Sequence, residues 1–288
     1  MIKKLAWLVA SVMILYAVVL GGCGKKEVTA ESLVKQANEN MEKVKSFAGD
    51  LDMQMSMNIS SEGVAMDMNM GMTGTIECTS DPDIFHMDGT LSMDLLNMSM
   101  DMDMYTQVDG DKSITYINMM DEWMKSEEAV EEGGMEDMYT VAGDGKDMTL
   151  AEETEKIGDK EVYVLTSTIS GEEFQEIMGS MEEMTESLGE VDFSTMEAEV
   201  TLKIYKDTVL PASVSIVMSD SGEGIESEGV LVKFNNISVV LNYNEFDSID
   251  SITIPEEALS APSGDEGSIL NEEESLLESE IAETEAAQ

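Results

Sequence analysis

Methionine recurs at every second residue in three stretches of the chain, and this is the first pattern that could do chemistry. The chain has 27 methionines in 288 residues. The three runs comprise Met53, Met55 and Met57, then Met66, Met68, Met70 and Met72, and finally Met98, Met100, Met102 and Met104. A thioether is a soft ligand that suits Cu(I), and methionine is also a flexible apolar residue that forms adaptable binding surfaces. The runs therefore allow two interpretations, a metal site or an apolar lining.

The spacing favours the apolar lining. Alternation with a period of two predicts β-strands that have one apolar face and one polar face. The residues between the methionines are mainly Asp, Asn, Ser and Gln, which suit a face in water. A copper site needs three or four sulfurs that converge on one point, whereas a ladder along one strand spreads them out. We assign no metal site from the sequence, and a Cu(I)-binding, methionine-rich protein stays as a further alternative.

Other reactive groups are scarce, and the sequence predicts a protein that is not an enzyme. His86 is the only histidine and falls on the polar side of its strand, between Phe85 and Met87, so we expect a structural or surface role. With one histidine and no nucleophile motif, acid–base or triad catalysis has few groups to use. We predict no catalytic residue and no cofactor. The segments 109–111 and 144–147 resemble fragments of calcium loops but lack the closing glutamate, so turns are expected there.

The charge balance excludes one large class of partners. The chain has 15 basic residues, all of them lysine, against 61 acidic residues, for a formal charge of −46. Nucleic-acid binding requires a basic surface, so no nucleic-acid partner is expected. The absence of arginine also removes the bidentate recognition of phosphate or carboxylate that a guanidinium group provides. No protein partner can be named from the sequence.

The N-terminus is predicted to be a targeting segment. It begins with Lys3 and Lys4, continues with an uncharged apolar run from Leu5 to Leu20, and reaches Cys23 after two glycines. The run is short for a membrane-spanning helix, which needs about 20 residues. Residues 1–22 are therefore interpreted as a signal peptide.

The sequence Leu20-Gly21-Gly22-Cys23 resembles the lipobox of bacterial lipoproteins. In such proteins the cysteine becomes the acylated N-terminus after cleavage. The resemblance implies that acyl chains such as palmitate attach at Cys23 and that residues 23–29 form a short tether. The expected location is the cell membrane, with the protein anchored through its lipid on the extracytoplasmic face. Cys78 then stands alone, so no disulfide framework is expected.

Residues 30–258 are predicted to form one α+β domain in which strands of a curved, mostly antiparallel sheet wrap two amphipathic helices. Thr29 caps the first helix, and its apolar stripe is Leu33, Ala37, Met41, Val44 and Phe47. The second helix is predicted over Ser170 to Gly189, with Phe174, Met178 and Met181 on its apolar face. Near the end of the domain, Gly229–Phe234 and Ile237–Tyr243 are predicted as separate strands. The acidic tail, 259–288, is predicted to be disordered.

Several short motifs resemble the LolA/LppX-type lipoprotein superfamily, and within it an uncharacterised family of lipoproteins from Gram-positive bacteria. The motifs are Glu31-Ser32-Leu33 with Met41 and Val44-Lys45-Ser46, Asp81-Pro82, Ile204-Tyr205-Lys206-Asp207 with Leu210-Pro211-Ala212, and Asn244-Glu245-Phe246-Asp247 with Ile252-Thr253-Ile254-Pro255-Glu256-Glu257-Ala258. The resemblance covers about residues 30–258 and implies a half-barrel sheet around helices with an apolar cavity. The Gram-negative carrier closes its cavity with an arginine, which this chain lacks.

Together these features predict a non-enzymatic, membrane-anchored lipoprotein that binds a lipid or other hydrophobic molecule in a methionine-lined cavity. The residues predicted to contact the ligand are Met55, Met57, Met68, Met70, Met100, Met102, Phe174, Met178 and Met181. The alternative is a surface module that recognises a protein partner or senses the cell envelope, with the methionine face filled as ordinary core.

Overall fold

One antiparallel sheet of 13 strands organises the protein. The structure is a computed structural model, and it describes residues 28–61, 64–95, 97–129, 145–171, 196–220, 222, 224–227 and 230–263. The strands are β1 (Ser46–Ser61), β2 (Val64–Ser80), β3 (Asp83–Met93), β4 (Met98–Asp109), β5 (Lys112–Met119), β6 (Glu122–Ala129), β7 (Thr149–Leu150), β8 (Glu155–Ile157), β9 (Lys160–Ser170), β10 (Met196–Tyr205), β11 (Pro211–Asp220), β12 (Ile225–Ser227) and β13 (Val230–Phe246). The helices within the described residues are α1 (Ala30–Met41) and α2 (Glu256–Leu259).

The strand order places the first and the last strand side by side. The sheet runs β6-β5-β4-β3-β2-β1-β13-β11-β10-β9-β7, with β12 paired to β13 and β8 paired to β9. The first six strands form a meander because each pairs with the next through a short turn. The long β13 then joins this meander to the second one by pairing with β1. Within the described residues the result is an open, curved, antiparallel sheet with two helices, which confirms the predicted curved sheet.

The predicted second helix cannot be compared with the structure. Its segment, Ser170 to Gly189, lies almost entirely outside the described residues, and so do Phe174, Met178 and Met181. The predicted signal peptide, Cys23 and nearly all of the acidic tail also lie outside them. Within the part of the chain that the structure describes, no helix is both long enough and apolar enough to cross a membrane.

Helix α1 begins where the sequence predicts and ends earlier. The Thr29 side chain accepts a hydrogen bond from the Ser32 amide at 3.2 Å, and the Ser32 side chain accepts one from the Thr29 amide at 3.0 Å. This reciprocal pair satisfies amides that the first helical turn leaves unbonded. The helix ends at Met41, so placing Val44 and Phe47 on its stripe was wrong. Val44 lies in the tight turn after the helix, and Phe47 is the second residue of β1.

The two strands predicted near the end of the domain are one strand. Asn235 and Asn236 look like turn residues between two apolar runs, but β13 continues through them from Val230 to Phe246. The register against β1 shifts at this point, since Ser56 pairs with Asn236 and Met57 pairs with Phe234. The extra residue is accommodated as a β-bulge, which keeps Phe234 and Ile237 on the same face.

The turns between the early strands follow the sequence signals. Asn97 has φ 48° between β3 and β4, where the methionine pattern changes from odd to even positions. Gly110, at φ 68°, connects β4 to β5, and Gly158, at φ 63°, connects β8 to β9. A positive φ is accessible to glycine at little cost and is tolerated by asparagine. The change of the methionine pattern from odd to even positions is therefore accommodated by a hairpin turn.

Each face of the sheet has its own core. On one face, α1 packs through Leu33, Val34, Ala37 and Met41 in a buried cluster to which Leu165, Leu202 and Tyr243 on the strands also belong. We call this the helix face. The opposite face carries a second cluster of Ile84, Tyr105, Tyr116, Ile252 and Ala258. The chain after β13, including α2, covers that cluster, and the contact extends to a bridge between Lys125 and Ser263. The closing motif of the sequence therefore covers the part of the outer face that β3, β4 and β5 form.

Met41→Ala is expected to destabilise the protein strongly, because the Met41 side chain is completely buried between α1 and the sheet. A loss of about 2–5 kcal/mol in the free energy of unfolding is typical for such a truncation. Urea unfolding followed by circular dichroism measures it. Met66→Ala is the matched control, since Met66 is 48% exposed, and it should change stability by less than about 0.5 kcal/mol. Equal effects of the two substitutions would contradict this core.

Candidate functional site

The strand register brings the methionines of different runs side by side. Between β1 and β2, Met53 pairs with Met72, Met55 with Met70, and Met57 with Met68. Directly opposed residues of an antiparallel pair lie about 4.5–5.5 Å apart at Cβ and point to the same side. All of these side chains therefore lie on the helix face. The alternating Asp, Gln and Ser residues lie on the opposite face, as the sequence predicted.

The methionine pattern continues across β3 and β4. Met93 pairs with Met70 on one side and with Met98 on the other, so one row crosses four strands. The neighbouring row passes from Met72 through Leu91 to Met100. Thioethers thus form a two-dimensional surface on β1 to β4, which we call the methionine face.

The helix face changes composition at the boundary between β1 and β13. On β13, β11 and β10 the rows that continue from the methionines contain mainly branched aliphatic residues. The pairs there include Val239 with Ile216, Leu241 with Val214, and Leu202 with Val214, and Met218, which pairs with Ile237, is an exception. Both halves are apolar, so burial alone does not explain why methionine is concentrated in one half.

Helix α1 covers only one end of the methionine face. Met87 and Ile76 belong to the buried cluster around the helix, and Met72, Met102 and Met104 pack partly against it. Along the strands, away from the helix, Met53, Met55 and Met70 are half-buried. The covered end is core, and the other end is the candidate binding surface.

A cavity lies at this half-buried end. Its volume is about 180 Å³, and it is lined by Met53, Gln54, Met55, Met70, Gly71, Met72, Leu91, Ile237 and Ser238. An engineered apolar cavity of about 150 Å³ binds benzene, so this space is large enough for part of a hydrocarbon. The lining residues carry no charged group. The site can therefore exclude water from an apolar group, but it offers no charge to hold an ionic one.

Of the six predicted contact residues that the structure describes, two line the cavity and four do not. Met55 and Met70 line the cavity, and Met57 and Met68 form the next row along the strands. Met102 lies towards α1 and packs on its core. Met100 pairs with the lining residue Leu91. All six described residues share the helix face, and their contact with a ligand stays a prediction.

Sequence reasoning missed seven of the nine residues that line the cavity, and four of these seven have large apolar side chains. Met53 and Met72 belong to the same runs as the chosen methionines, so alternation alone ranked them equally. Leu91 and Ile237 come from β3 and β13, and only the pairing of these strands with β2 and β1 brings them to the cavity. The missing signal was cross-strand register, which alternation within one strand does not contain.

His86 lies on the opposite face, on the polar side of its strand. Its two ring nitrogens contact different carboxylates, Nδ1 with Glu77 Oε2 at 3.1 Å and Nε2 with Asp103 Oδ1 at 3.0 Å. The ring also stacks on Tyr105, with centroids 4.3 Å apart. Because the two carboxylates bind opposite edges of the ring, they do not converge on one point. This arrangement ties β2, β3 and β4 together across the outer face.

Cys78 is a core residue. Its side chain is 1% exposed, and burial, assisted by the nearby carboxylates of Asp83 and Glu77, raises the pKa of its thiol. A protonated, buried thiol is a poor nucleophile. Within the residues that the structure describes, no group of three or more His, Cys, Asp and Glu side chains is arranged to hold a metal ion.

The comparisons with known proteins give a family. A family model described as a family of unknown function, DUF6612, matches residues 29–263. The chain belongs to this family. No curated protein matches the chain.

Several solved structures are similar to the chain at low identity. One is a LolA superfamily protein from Nitrosomonas europaea, with 12% identity over 78% of this chain and 96% of that one and a TM-score of 0.20. A second is a DUF1329 family protein from Desulfovibrio piger, with 8% identity over 78% and 93% and a TM-score of 0.26. A third is a beta-barrel-like DUF1849 protein from Brucella abortus, with 11% identity over 72% and 99% and a TM-score of 0.24. The first of these structures is thus a member of the superfamily that the sequence motifs resemble.

Tyr243 provides a pH test of the core beside this site. Burial, with a contribution from Cys78, raises the pKa of its hydroxyl to about 12 from an ordinary value of 10.0. A group whose pKa is raised on folding stabilises the protein fully below its unfolded pKa and loses this effect as the pH rises through the folded pKa. The wild type should therefore lose about 2–3 kcal/mol more than Tyr243→Phe between pH 9 and pH 12. Urea unfolding of both proteins at the two pH values measures the difference, and parallel losses would contradict the shift.

Proposed function

We propose that this protein is a non-enzymatic, lipid-anchored extracytoplasmic protein that binds a lipid or another hydrophobic molecule on the methionine face. The observation that carries the proposal is the apolar cavity beside α1, which the described helices leave open. Exposed apolar surface of this kind is costly in water, and it commonly marks a binding site.

The lining indicates which part of a ligand would be bound. Met53, Met55, Met70 and Met72 surround the space, together with Leu91 and Ile237. With no charged side chain in the lining, the bound group must itself be uncharged, because burying an unpaired charge is strongly unfavourable. A hydrocarbon chain meets this requirement, and an anionic headgroup would stay outside.

The shape of the face extends beyond the cavity. The next rows along the strands are Met57 with Met68, and Ile59 with Met66. Met57 is buried and Met66 is 48% exposed, so the strip is open to solvent only at its last row. A ligand longer than the cavity would need the Met57 side chain to change its rotamer. Methionine suits such a role because its unbranched side chain adapts to ligands of different shape.

The acyl anchor at Cys23 would hold the protein at the membrane. Residues 23–29 would span at most about 25 Å when extended, which keeps the domain close to the bilayer in which the lipids reside. The formal charge of −46 limits adhesion of the sheet to anionic lipid surfaces, so the acyl anchor has to provide the attachment.

Binding is tested by filling the cavity. Ile237→Trp adds a large side chain from β13 into the space, and it should weaken binding of the neutral probe N-phenyl-1-naphthylamine at least about tenfold. Val217→Trp is the matched control, since Val217 is 41% exposed and lies on the opposite face. It should leave probe affinity within about twofold of wild type. Fluorescence titration of the full-length proteins in mild detergent measures both.

Native mass spectrometry of the wild type, purified from its host membrane, should show a hydrophobic molecule that the Ile237→Trp variant lacks. The proposal is contradicted if the wild type carries no such molecule and binds no probe. It is also contradicted if the two tryptophan variants bind the probe equally. Those outcomes would favour a surface module with a filled core.

Anchoring is tested separately at Cys23. Cys23→Ser should stop acylation and move the protein from the membrane fraction to the culture medium or to the soluble fraction. Labelling cells with an alkyne-bearing palmitate analogue and fractionating the membranes measures both changes. Cys78→Ser is the matched control, because its buried position keeps that thiol from an acyltransferase. Label retained on Cys23→Ser would contradict the assignment.

A further inference from the structure

Four thioethers surround one cavity. Met53 and Met55 reach it from β1, and Met70 and Met72 reach it from β2. They form two directly paired sets, Met53 with Met72 and Met55 with Met70. The sequence suggested that methionine ladders spread their sulfurs along a strand. The register removes that objection, because two adjacent ladders bring four sulfurs to one place.

We propose that Met53, Met55, Met70 and Met72 form a binding site for the soft monovalent cation Cu(I). This site goes beyond the proposed function, since it uses the sulfur atoms of these residues rather than their apolar surface.

The backbone geometry suits such a site. Paired residues lie about 5 Å apart at Cβ across the strands, and residues two apart along a strand lie about 6.7 Å apart. The four Cβ atoms thus mark the corners of a small rectangle. Each methionine side chain extends two further atoms to its sulfur and rotates freely about its bonds. Three or four sulfurs can therefore meet above the centre of the rectangle without movement of the strands.

The donor chemistry selects the ion. Thioethers are soft, neutral ligands that prefer Cu(I), whereas Zn²⁺ prefers thiolate, imidazole and carboxylate groups and Ca²⁺ prefers oxygen. The lining has none of the ligands that Zn²⁺ prefers, and its two polar residues, Gln54 and Ser238, pair with each other at positions whose side chains alternate to the opposite face. A cation of single charge on four neutral ligands also costs less to bury than a divalent one.

Two further observations support a role for sulfur. The helix face carries a dense set of methionines on β1 to β4, whereas the paired rows of β13 and β11 carry mainly valine, isoleucine and leucine, with Met218 opposite Ile237 as an exception. Since both sets are apolar, apolar burial does not require this difference. The formal charge of −46 also produces a negative potential that concentrates cations near the protein.

Substitution of methionine by leucine separates this proposal from hydrophobic binding. Leucine has nearly the same volume and remains apolar, so the cavity is preserved while the sulfur is removed. The test variant is Met53→Leu/Met55→Leu/Met70→Leu/Met72→Leu. The matched control is Met104→Leu/Met119→Leu/Met120→Leu/Met124→Leu, which removes four sulfurs away from the cavity. All proteins are full-length and carry Cys23→Ser and Cys78→Ala, so that no thiol competes.

The experiment is an anaerobic titration in which each protein competes with the chromophoric Cu(I) chelator bicinchoninate. The wild-type methionine set and the control variant should each withdraw one equivalent of Cu(I), whereas the test variant should bind at least tenfold more weakly. All three should bind N-phenyl-1-naphthylamine alike. The proposal is overturned if the wild-type methionine set withdraws no Cu(I), or if the test variant and the control lose affinity equally.

X-ray absorption at the copper edge gives a second readout that needs no cavity variant. The wild-type methionine set should show three or four sulfur neighbours around the bound ion, which must be thioethers because the thiols are absent. A first shell of nitrogen or oxygen would overturn the site. Loss of Cu(I) binding with intact probe binding would leave the proposed function standing, and the reverse result would remove that function alone.

Discussion

The pairing of β1 with β2 is the constraint on which the rest of the structure depends. The two strands pair from Ser46 with Thr79 to Ser61 with Val64 without a shift in register. Since side chains alternate between faces, a slip of one residue would turn every methionine of one strand to the acidic face. Such a slip would dismantle the helix-face core and the cavity together. The apolar alternation on both strands holds the register in place.

Each side of the sheet is buried over part of its area, although by different means. On the helix face, α1 covers the rows near Phe47, Ile76 and Met87, and this end has the character of a protein core. On the outer face, the chain after β13 covers Tyr105 and Tyr116 with Ile252 and Ala258. The described elements leave the distal part of the methionine face half-open. The candidate site lies there because the sheet is longer than the described helix that packs on it.

Methionine offers two properties at that site, and the two proposals use one each. Its apolar, adaptable side chain suits a hydrocarbon ligand, and its sulfur suits a soft cation. Methionine is concentrated on β1–β4, beside the aliphatic residues of β13 such as Val239 and Leu241, and both proposals start from this concentration. Both proposals use the same residues, but substitution of methionine by leucine would remove only the Cu(I) site.

The sequence by itself determined the local structure, because periodicity and turn chemistry act over a few residues. The cap at Thr29, the early strands, the turns at Asn97 and Gly110, and the polar placement of His86 could all be predicted from it. It was wrong where a local signal conflicted with long-range pairing. Asn235 and Asn236 resemble a turn, but β13 continues through them because it pairs with β1 on both sides of a β-bulge. Only the tertiary structure decided which methionines meet, since the pairing of Met53 with Met72 and the arrival of Leu91 and Ile237 depend on register between strands distant in sequence.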